Sequence, residues 1–179
     1  MSRLSAVLGI VAVVALAAPR AEAKTIILAV DGALNIPTGD WADVSGMGIG
    51  ALLEGKMAVG EKMNVTGRIG YIYGLGKERS GFDYSWGHIP ILAGIQYFPT
   101  ELFYLAAEAG FVNNRVSVDT DMEYGGDDDD SDTDLGFTLG AGCLVGGLDL
   151  RGQLFFPDSD ETDDMMGLLF TVGYTFSSL

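Results

Sequence analysis

Cysteine is almost missing from this chain of 179 residues: Cys143 stands alone, so no intramolecular disulfide can form. Flanked by Gly142 and Leu144, it reads as a small hydrophobe rather than a reactive thiol. Histidine is equally scarce, with His88 the single example, and no paired-cysteine metal site or phosphate-cradling glycine loop is present. Basic residues are few. Ten Lys and Arg face 25 Asp and Glu, for a formal net charge of −15, which argues against nucleic acid as a partner. After the first 23 residues, no stretch is long and apolar enough for a membrane helix, which needs roughly 20 residues. Yet 48% of residues are hydrophobic and mean hydropathy is +0.27, so the apolar content must be distributed in short pieces.

The start of the chain has the form of a secretory signal peptide. Arg3 supplies a positive start, Val7 to Ala18 an apolar stretch, and Ala21-Glu22-Ala23 an A-x-A cleavage site. Residues 1–23 are therefore expected to be a signal peptide, leaving 24–179 as one domain with Lys24 at its start. No cysteine stands at the cleavage site to carry a lipid anchor.

What the chain does have is alternation. Met63-Asn64-Val65-Thr66-Gly67-Arg68-Ile69-Gly70-Tyr71 puts Met, Val, Ile and Tyr on one parity and Asn, Thr and Arg on the other. Leu148-Asp149-Leu150-Arg151-Gly152-Gln153-Leu154 does the same. Successive side chains of a strand point to opposite faces, so each segment has an apolar and a polar or ionic face. About eight such segments are expected, over 25–36, 47–57, 62–74, 87–98, 102–116, 135–145, 147–156 and 166–176. The connections alternate in length. Those at 58–61, at 99–101 and around Gly146 are tight turns, whereas 37–46, 75–86, 117–134 and 157–165 are long. An even strand number with short turns at one end and long loops at the other is the layout of a transmembrane β-barrel, with turns and termini toward the periplasm. Glycine, at 26 residues about twice its ordinary ~7% share, suits strands that bend around a small barrel.

The outward parity carries Leu28, Val30, Ile49, Leu53, Val65, Ile69, Ile89, Ile91, Ile95, Phe103, Leu105, Phe111, Phe137, Leu139, Leu150, Leu154, Phe170 and Val172, with no charge in mid-strand. Tyr97, Tyr104, Tyr174 and Phe176 at the turn end, and Tyr71, Tyr73, Trp86 and Phe156 at the loop end, are candidate interface girdles. The inward parity carries Asp31, Glu54, Lys56, Asn64, Thr66, Arg68, Gln96, Glu108, Thr138, Asp149, Arg151, Gln153 and Thr171. An eight-stranded barrel is just wide enough inside to be filled by side chains, and charges there must be paired. Asp31, Glu54, Glu108 and Asp149 are therefore expected to link with Lys56, Arg68 and Arg151 in one interior network, filling the lumen rather than leaving an open pore.

Three segments carry a resemblance: Gly32-Ala33-Leu34-Asn35-Ile36-Pro37-Thr38-Gly39-Asp40, Ile89-Pro90-Ile91-Leu92-Ala93-Gly94-Ile95-Gln96-Tyr97-Phe98, and Val172-Gly173-Tyr174-Thr175-Phe176. On these, nearly the whole mature chain resembles the small bacterial outer-membrane β-barrels of the OmpA/OmpX type. The resemblance implies an all-β, eight-stranded antiparallel up-and-down barrel in a Gram-negative outer membrane, inserted by the barrel-assembly machinery and surrounded by outer-membrane lipids and lipopolysaccharide. It departs at the end, where Ser177-Ser178-Leu179 follow the usual terminal aromatic.

Two features could carry chemistry. Asp127, Asp128, Asp129, Asp130, Asp132 and Asp134, preceded by Asp119, Asp121 and Glu123, form an acidic run expected to be a solvated loop that could bind divalent cations weakly. An EF-hand is excluded because Leu135 stands where its glycine should be. With Asp158, Asp160, Glu161, Asp163 and Asp164, the outer rim would repel anionic lipopolysaccharide unless divalent ions bridge them. His88, near Ser85 and Asp83, could serve a lipid A hydrolase, but matches no such motif closely. The expectation is a non-enzymatic outer-membrane protein, without cofactor, acting in membrane integrity or surface contact through four acidic outer loops. A narrow ion or small-solute channel is the alternative.

Overall fold

The computed structural model describes residues 25–79, 82–120, 128–159 and 165–178, without the side chains of 44, 76–79, 82–85, 116–120, 128–130 and 177. The expected signal peptide lies outside the described residues. Eight strands follow in chain order: β1 (Ile26–Thr38), β2 (Gly48–Gly60), β3 (Met63–Arg79), β4 (Phe82–Tyr97), β5 (Phe103–Thr120), β6 (Asp128–Val145), β7 (Leu148–Phe156) and β8 (Met166–Ser178). Each pairs antiparallel with the next, and β8 closes on β1, as at Ala33↔Thr171, to give a closed barrel. Closure leaves no unpaired strand edge, which is the condition for a sheet to sit in hydrocarbon. No helix among the described residues is long and apolar enough to cross a membrane.

All eight expected strands are present, and the differences lie at the loop end. There β3, β4, β5 and β6 run 16 to 18 residues, well beyond the 9–11 or so that cross a bilayer. Much of what reads as loop at 75–86 and 117–134 is therefore strand. The acidic stretch from Asp128 to Asp134 is part of β6, paired with β5 from Val118↔Asp128 to Val112↔Asp134. The connection between β1 and β2 contains a one-turn helix, α1 (Asp40–Val44), that nothing in the alternation announces.

At the other end the turns are tight. The β6–β7 hairpin turns on Gly146 and Gly147, with φ of 59° and 88°. Two consecutive positive φ values are what a two-residue turn needs to match strand twist, and glycine adopts them without strain. Pro90 sits in mid-strand, where it can donate no hydrogen bond. The β3–β4 ladder runs to Ile69↔Ile91 and resumes at Ile72↔His88 on the other side of it.

Burial alternates with period two along the chain, as in the β7 pattern from Leu148 to Phe156. The outer surface exposes Val30, Ile49, Leu53, Ile69, Ile91, Ile95, Leu105, Leu139 and Val172. Tyr71, Tyr73, Tyr97, Tyr174 and Phe176 are likewise exposed near strand ends, and Phe137 stacks on Phe156 at 4.4 Å. Two aromatics assigned to the girdles from sequence belong inside. Tyr104 is 1% exposed and Trp86 7%. Tyr104 shares the inward parity of Glu108, and Trp86 shares that of His88 because β4 begins earlier than the alternation suggests.

Candidate functional site

The lumen has two storeys. The one nearer the turns is ionic. Asp31 comes from β1, Glu54 and Lys56 from β2, Arg68 from β3, Tyr104 and Glu108 from β5, and Asp149 and Arg151 from β7; all are at most 6% exposed. Strand register sets the neighbours: Glu54 lies directly across from Arg68, and Glu108 across from Thr138. The two arginines then reach across the barrel. Arg68 donates through Nη1 to Glu108 Oε2 at 2.9 Å and to Gln153 Oε1 at 2.8 Å, and through Nη2 to Asp31 Oδ2 at 3.2 Å. Arg151 donates through Nη1 to Glu108 Oε1 at 3.1 Å, through Nη2 to Glu54 Oε1 at 2.6 Å and through Nε to Tyr104 Oη at 2.8 Å.

Glu108 thus takes one guanidinium on each carboxylate oxygen, so a single carboxylate bridges both arginines through charge-assisted hydrogen bonds. Thr138 Oγ1 adds a hydrogen bond at 3.0 Å. Lys56 pairs with Glu54 at 3.1 Å and with Asp149, which also accepts from the Tyr104 hydroxyl. Tyr104 fits because Gly142 lies beneath it: a Cβ there would fall 2.3 Å from its ring. All seven residues named from sequence as the interior set are therefore within one bonded cluster. The two partners that sequence reading missed are Tyr104 and the bridging role of Gln153, which donates to Thr138 Oγ1 at 2.8 Å.

The storey nearer the loops is apolar, which the expectation of a polar interior did not include. Ala33, Leu52, Ile72, Leu92, Val112, Phe155 and Leu169 pack with Trp41 and Trp86 as one buried cluster. These residues share the inward parity, but their chemistry does not distinguish lumen from lipid. Trp41 enters from α1 rather than from a strand and lies 5.2 Å from Trp86 and 5.4 Å from His88, ring to ring. Trp86 has room because Gly48 and Gly74 flank it; a Cβ at Gly74 would fall 1.9 Å from the indole. His88 is 2% exposed, 4.6 Å from Trp86 and 5.8 Å from Phe155. Its Nδ1 lies 2.6 Å from Asn114 Oδ1, and Asn114 Nδ2 donates to Asp134 Oδ2 at 3.0 Å. His88 therefore faces the lumen and no lipid-facing rim. The side chains of Ser85 and Asp83 lie outside the described residues.

Of the acidic run, Asp127 and the side chains of Asp128, Asp129 and Asp130 also lie outside the described residues. Asp132 is exposed and accepts from the Thr133 amide at 2.7 Å. Among the described residues no group of three or more His, Cys, Asp or Glu side chains could hold a metal ion. Cys143 is a free thiol, half-buried, opposite Phe103.

A closed eight-stranded antiparallel barrel with an apolar outer belt and ion pairs inside is a membrane-spanning β-barrel, the inverse of a soluble one. The family described as outer membrane protein beta-barrel domain matches residues 6–176, and the chain belongs to that family of bacterial outer-membrane proteins. No functionally curated protein matches by sequence. Solved structures share the fold. One is Ail, the attachment invasion locus protein of Yersinia pestis, in complex with the heparin analogue sucrose octasulfate: TM-score 0.63, 16% identity, covering 87% of this chain and all of that one. Another is the N-terminal β-barrel domain of Pseudomonas aeruginosa OprF: TM-score 0.56, 8% identity, covering 84% of this chain and 97% of that one. The belt is in contact with outer-membrane lipid.

Proposed function

We propose that this chain is a non-enzymatic outer-membrane barrel whose lumen is plugged, and which serves envelope integrity and surface contact through its long-loop end. Turns and termini face the periplasm, and the extended β3–β4 and β5–β6 hairpins stand outside. The observation that carries this reading is the two-storey filling of the lumen. An ionic cluster in which each basic group is paired sits beneath a layer of Leu52, Ile72, Leu92, Val112, Phe155 and Leu169. Water and ions would have to cross both, and the Leu52, Ile72, Leu92, Val112, Phe155 and Leu169 side chains offer a hydrated ion no replacement for its shell. That weighs against the narrow channel. Against lipid A hydrolysis weighs the seclusion of His88 among indole and phenyl rings.

The heparin analogue bound by Ail does not transfer. A polysulfated ligand needs basic groups, and the outer stretch from Asp127 to Asp134 here contains no Lys or Arg. Divalent cations and basic surfaces suit this rim better, and cations could bridge it to lipopolysaccharide.

Single-channel recording on the refolded 24–179 chain in planar bilayers tests the plugged lumen. Electrical silence is expected, with leak appearing only when Arg68→Ala is combined with Leu92→Ala, so that both storeys are thinned. Steady discrete openings in the unaltered protein would overturn the reading.

A further inference from the structure

The loop-end storey contains polar atoms that a mere filler would lack. Asn35 is fully buried, and neither atom of its amide has a hydrogen-bond partner among the described residues. The same holds for Trp86 Nε1 and His88 Nε2, in side chains 7% and 2% exposed. Buried polar groups are nearly always bonded, so three together call for an explanation. They belong to one place. Trp41, Trp86 and His88 are in mutual ring contact, and Asn35 Oδ1 and Trp41 both lean over Gly167, within 2.5 and 3.0 Å of where its Cβ would stand.

The free atoms have a definite chemistry. Asn114 Nδ2 donates to Asp134 Oδ2, which fixes the orientation of the amide, so its Oδ1 accepts from His88 Nδ1. In the neutral ring that leaves Nε2 as an acceptor. Trp86 Nε1 is a donor only, and the Asn35 amide offers both functions. The set carries no formal charge and suits hydroxyl groups, each of which donates and accepts. The walls are indole and phenyl faces, which suit the C–H face of a saturated ring.

One wall can leave. Trp41 sits on a five-residue helix without a side-chain N-cap bond, following Gly39 at φ 62°. It is tied by Ala42 N to Gly39 O at 3.1 Å and Ser45 N to Trp41 O at 2.9 Å, outside the barrel ladder. Swinging it out would break no strand pairing and would leave the ionic storey untouched.

We propose that the loop end of the lumen is a binding site for a neutral sugar ring, occupied in the resting protein by Trp41. The ring would take the indole's place against Trp86 and His88 and bond to Asn35, His88 Nε2 and Trp86 Nε1. This does not depend on the plugged-lumen reading, because a ligand entering from the loop side need not pass through the barrel.

The test uses the chain's own fluorescence. Its only two tryptophans are Trp41 and Trp86, so the signal arises at this site alone. Refolded protein in detergent is titrated with methyl β-glucopyranoside, with glucuronate as the charged counterpart. The expected result is a saturable change with the neutral pyranoside and a weaker one with glucuronate. Asn35→Leu should weaken binding about tenfold, the worth of one hydrogen bond, while keeping the folded gel mobility. Trp41→Ala, followed by calorimetry, should tighten it. Repeating the titration in bilayers with and without lipopolysaccharide separates a free sugar from one carried on lipid: competition by the lipid assigns the source to the membrane, and its absence to solution. No saturable response in the unaltered protein and in Trp41→Ala alike would show that the polar atoms hold water only. Undiminished binding in Asn35→Leu and His88→Leu would place any site elsewhere, and either result overturns the proposal.

Discussion

Replacing Glu108 by alanine tests whether geometry or charge count governs the interior. Among the described residues, the buried acids are Asp31, Glu54, Glu108 and Asp149 and the buried bases are Lys56, Arg68 and Arg151, four against three. By count alone, removing any one acid brings the interior to neutrality and should help. Geometry says otherwise. Glu108 receives Arg68 at 2.9 Å and Arg151 at 3.1 Å, one on each oxygen, and Thr138 at 3.0 Å. Deleting it takes the carboxylate from the Nη1 of both guanidiniums, each 1% exposed, and leaves Arg68 with Asp31 and Arg151 with Glu54 as their nearest remaining acids. Breaking a buried pair by removing one partner costs about 3–5 kcal/mol, and Glu108→Ala is expected in that range. Asp31→Asn is the control. Asp31 has one partner, Arg68 Nη2 at 3.2 Å, and its Oδ1 has none among the described residues. Asparagine keeps an acceptor for that bond, so the loss should be about 1 kcal/mol or less. Urea unfolding in lipid vesicles, followed by gel mobility, measures both. Equal losses, or a Glu108→Ala protein as stable as the parent, would refute the geometric account.

Three further outcomes are expected. Tyr104→Phe removes hydroxyl bonds to Asp149 and Arg151 and should cost about 1.5–3 kcal/mol in the same assay. Gly74→Ala drives a methyl into the Trp86 indole and should cost about 1–3 kcal/mol with altered fluorescence, whereas Gly60→Ala, with nothing within 4 Å, should be neutral. Leu53→Arg places a charge on the exposed outer belt and should cost about 2–4 kcal/mol if it meets the bilayer midplane, measured by unfolding in vesicles.

The fold was legible because parity was. Arg68 between Gly67 and Ile69, or Asp149 between Leu148 and Leu150, leaves a strand one way to face when one side is hydrocarbon. The same parity places Tyr104 inside with Glu108, since Phe103 and Leu105 face out, so the girdle assignment failed by weighing residue type over position. Trp86 was hidden by a different cause. The polar sequence from Gly81 onward looks like loop, and only the longer β4 carries the inward parity of His88 and Leu92 up to Trp86. The apolar storey is the real blind spot. Leu52, Ile72 and Val112 are chemically identical to the belt, and no pattern separates them from lipid-facing residues except strict counting along each strand. Trp41 lies beyond even that, because α1 belongs to no alternation.

This division also bears on why the barrel carries an ionic cluster where hydrophobic side chains could pack its interior equally well. A buried ion pair is often no more stable than packed apolar side chains of the same volume. It does, however, penalise error. A one-residue slip in pairing moves every inward side chain to the outer face. In the apolar storey a slip exchanges leucine for leucine, and the bilayer accepts either. In the ionic storey it would carry Lys56, Arg68 and Arg151 into lipid, at about 6–12 kcal/mol for the three if each met the midplane. The strands that bear them, β2, β3 and β7, are therefore locked to one register by the membrane itself, and β1 and β5 are locked through their carboxylates. The charges need not stabilise the barrel more than leucines would. They need only make the misregistered barrel worse.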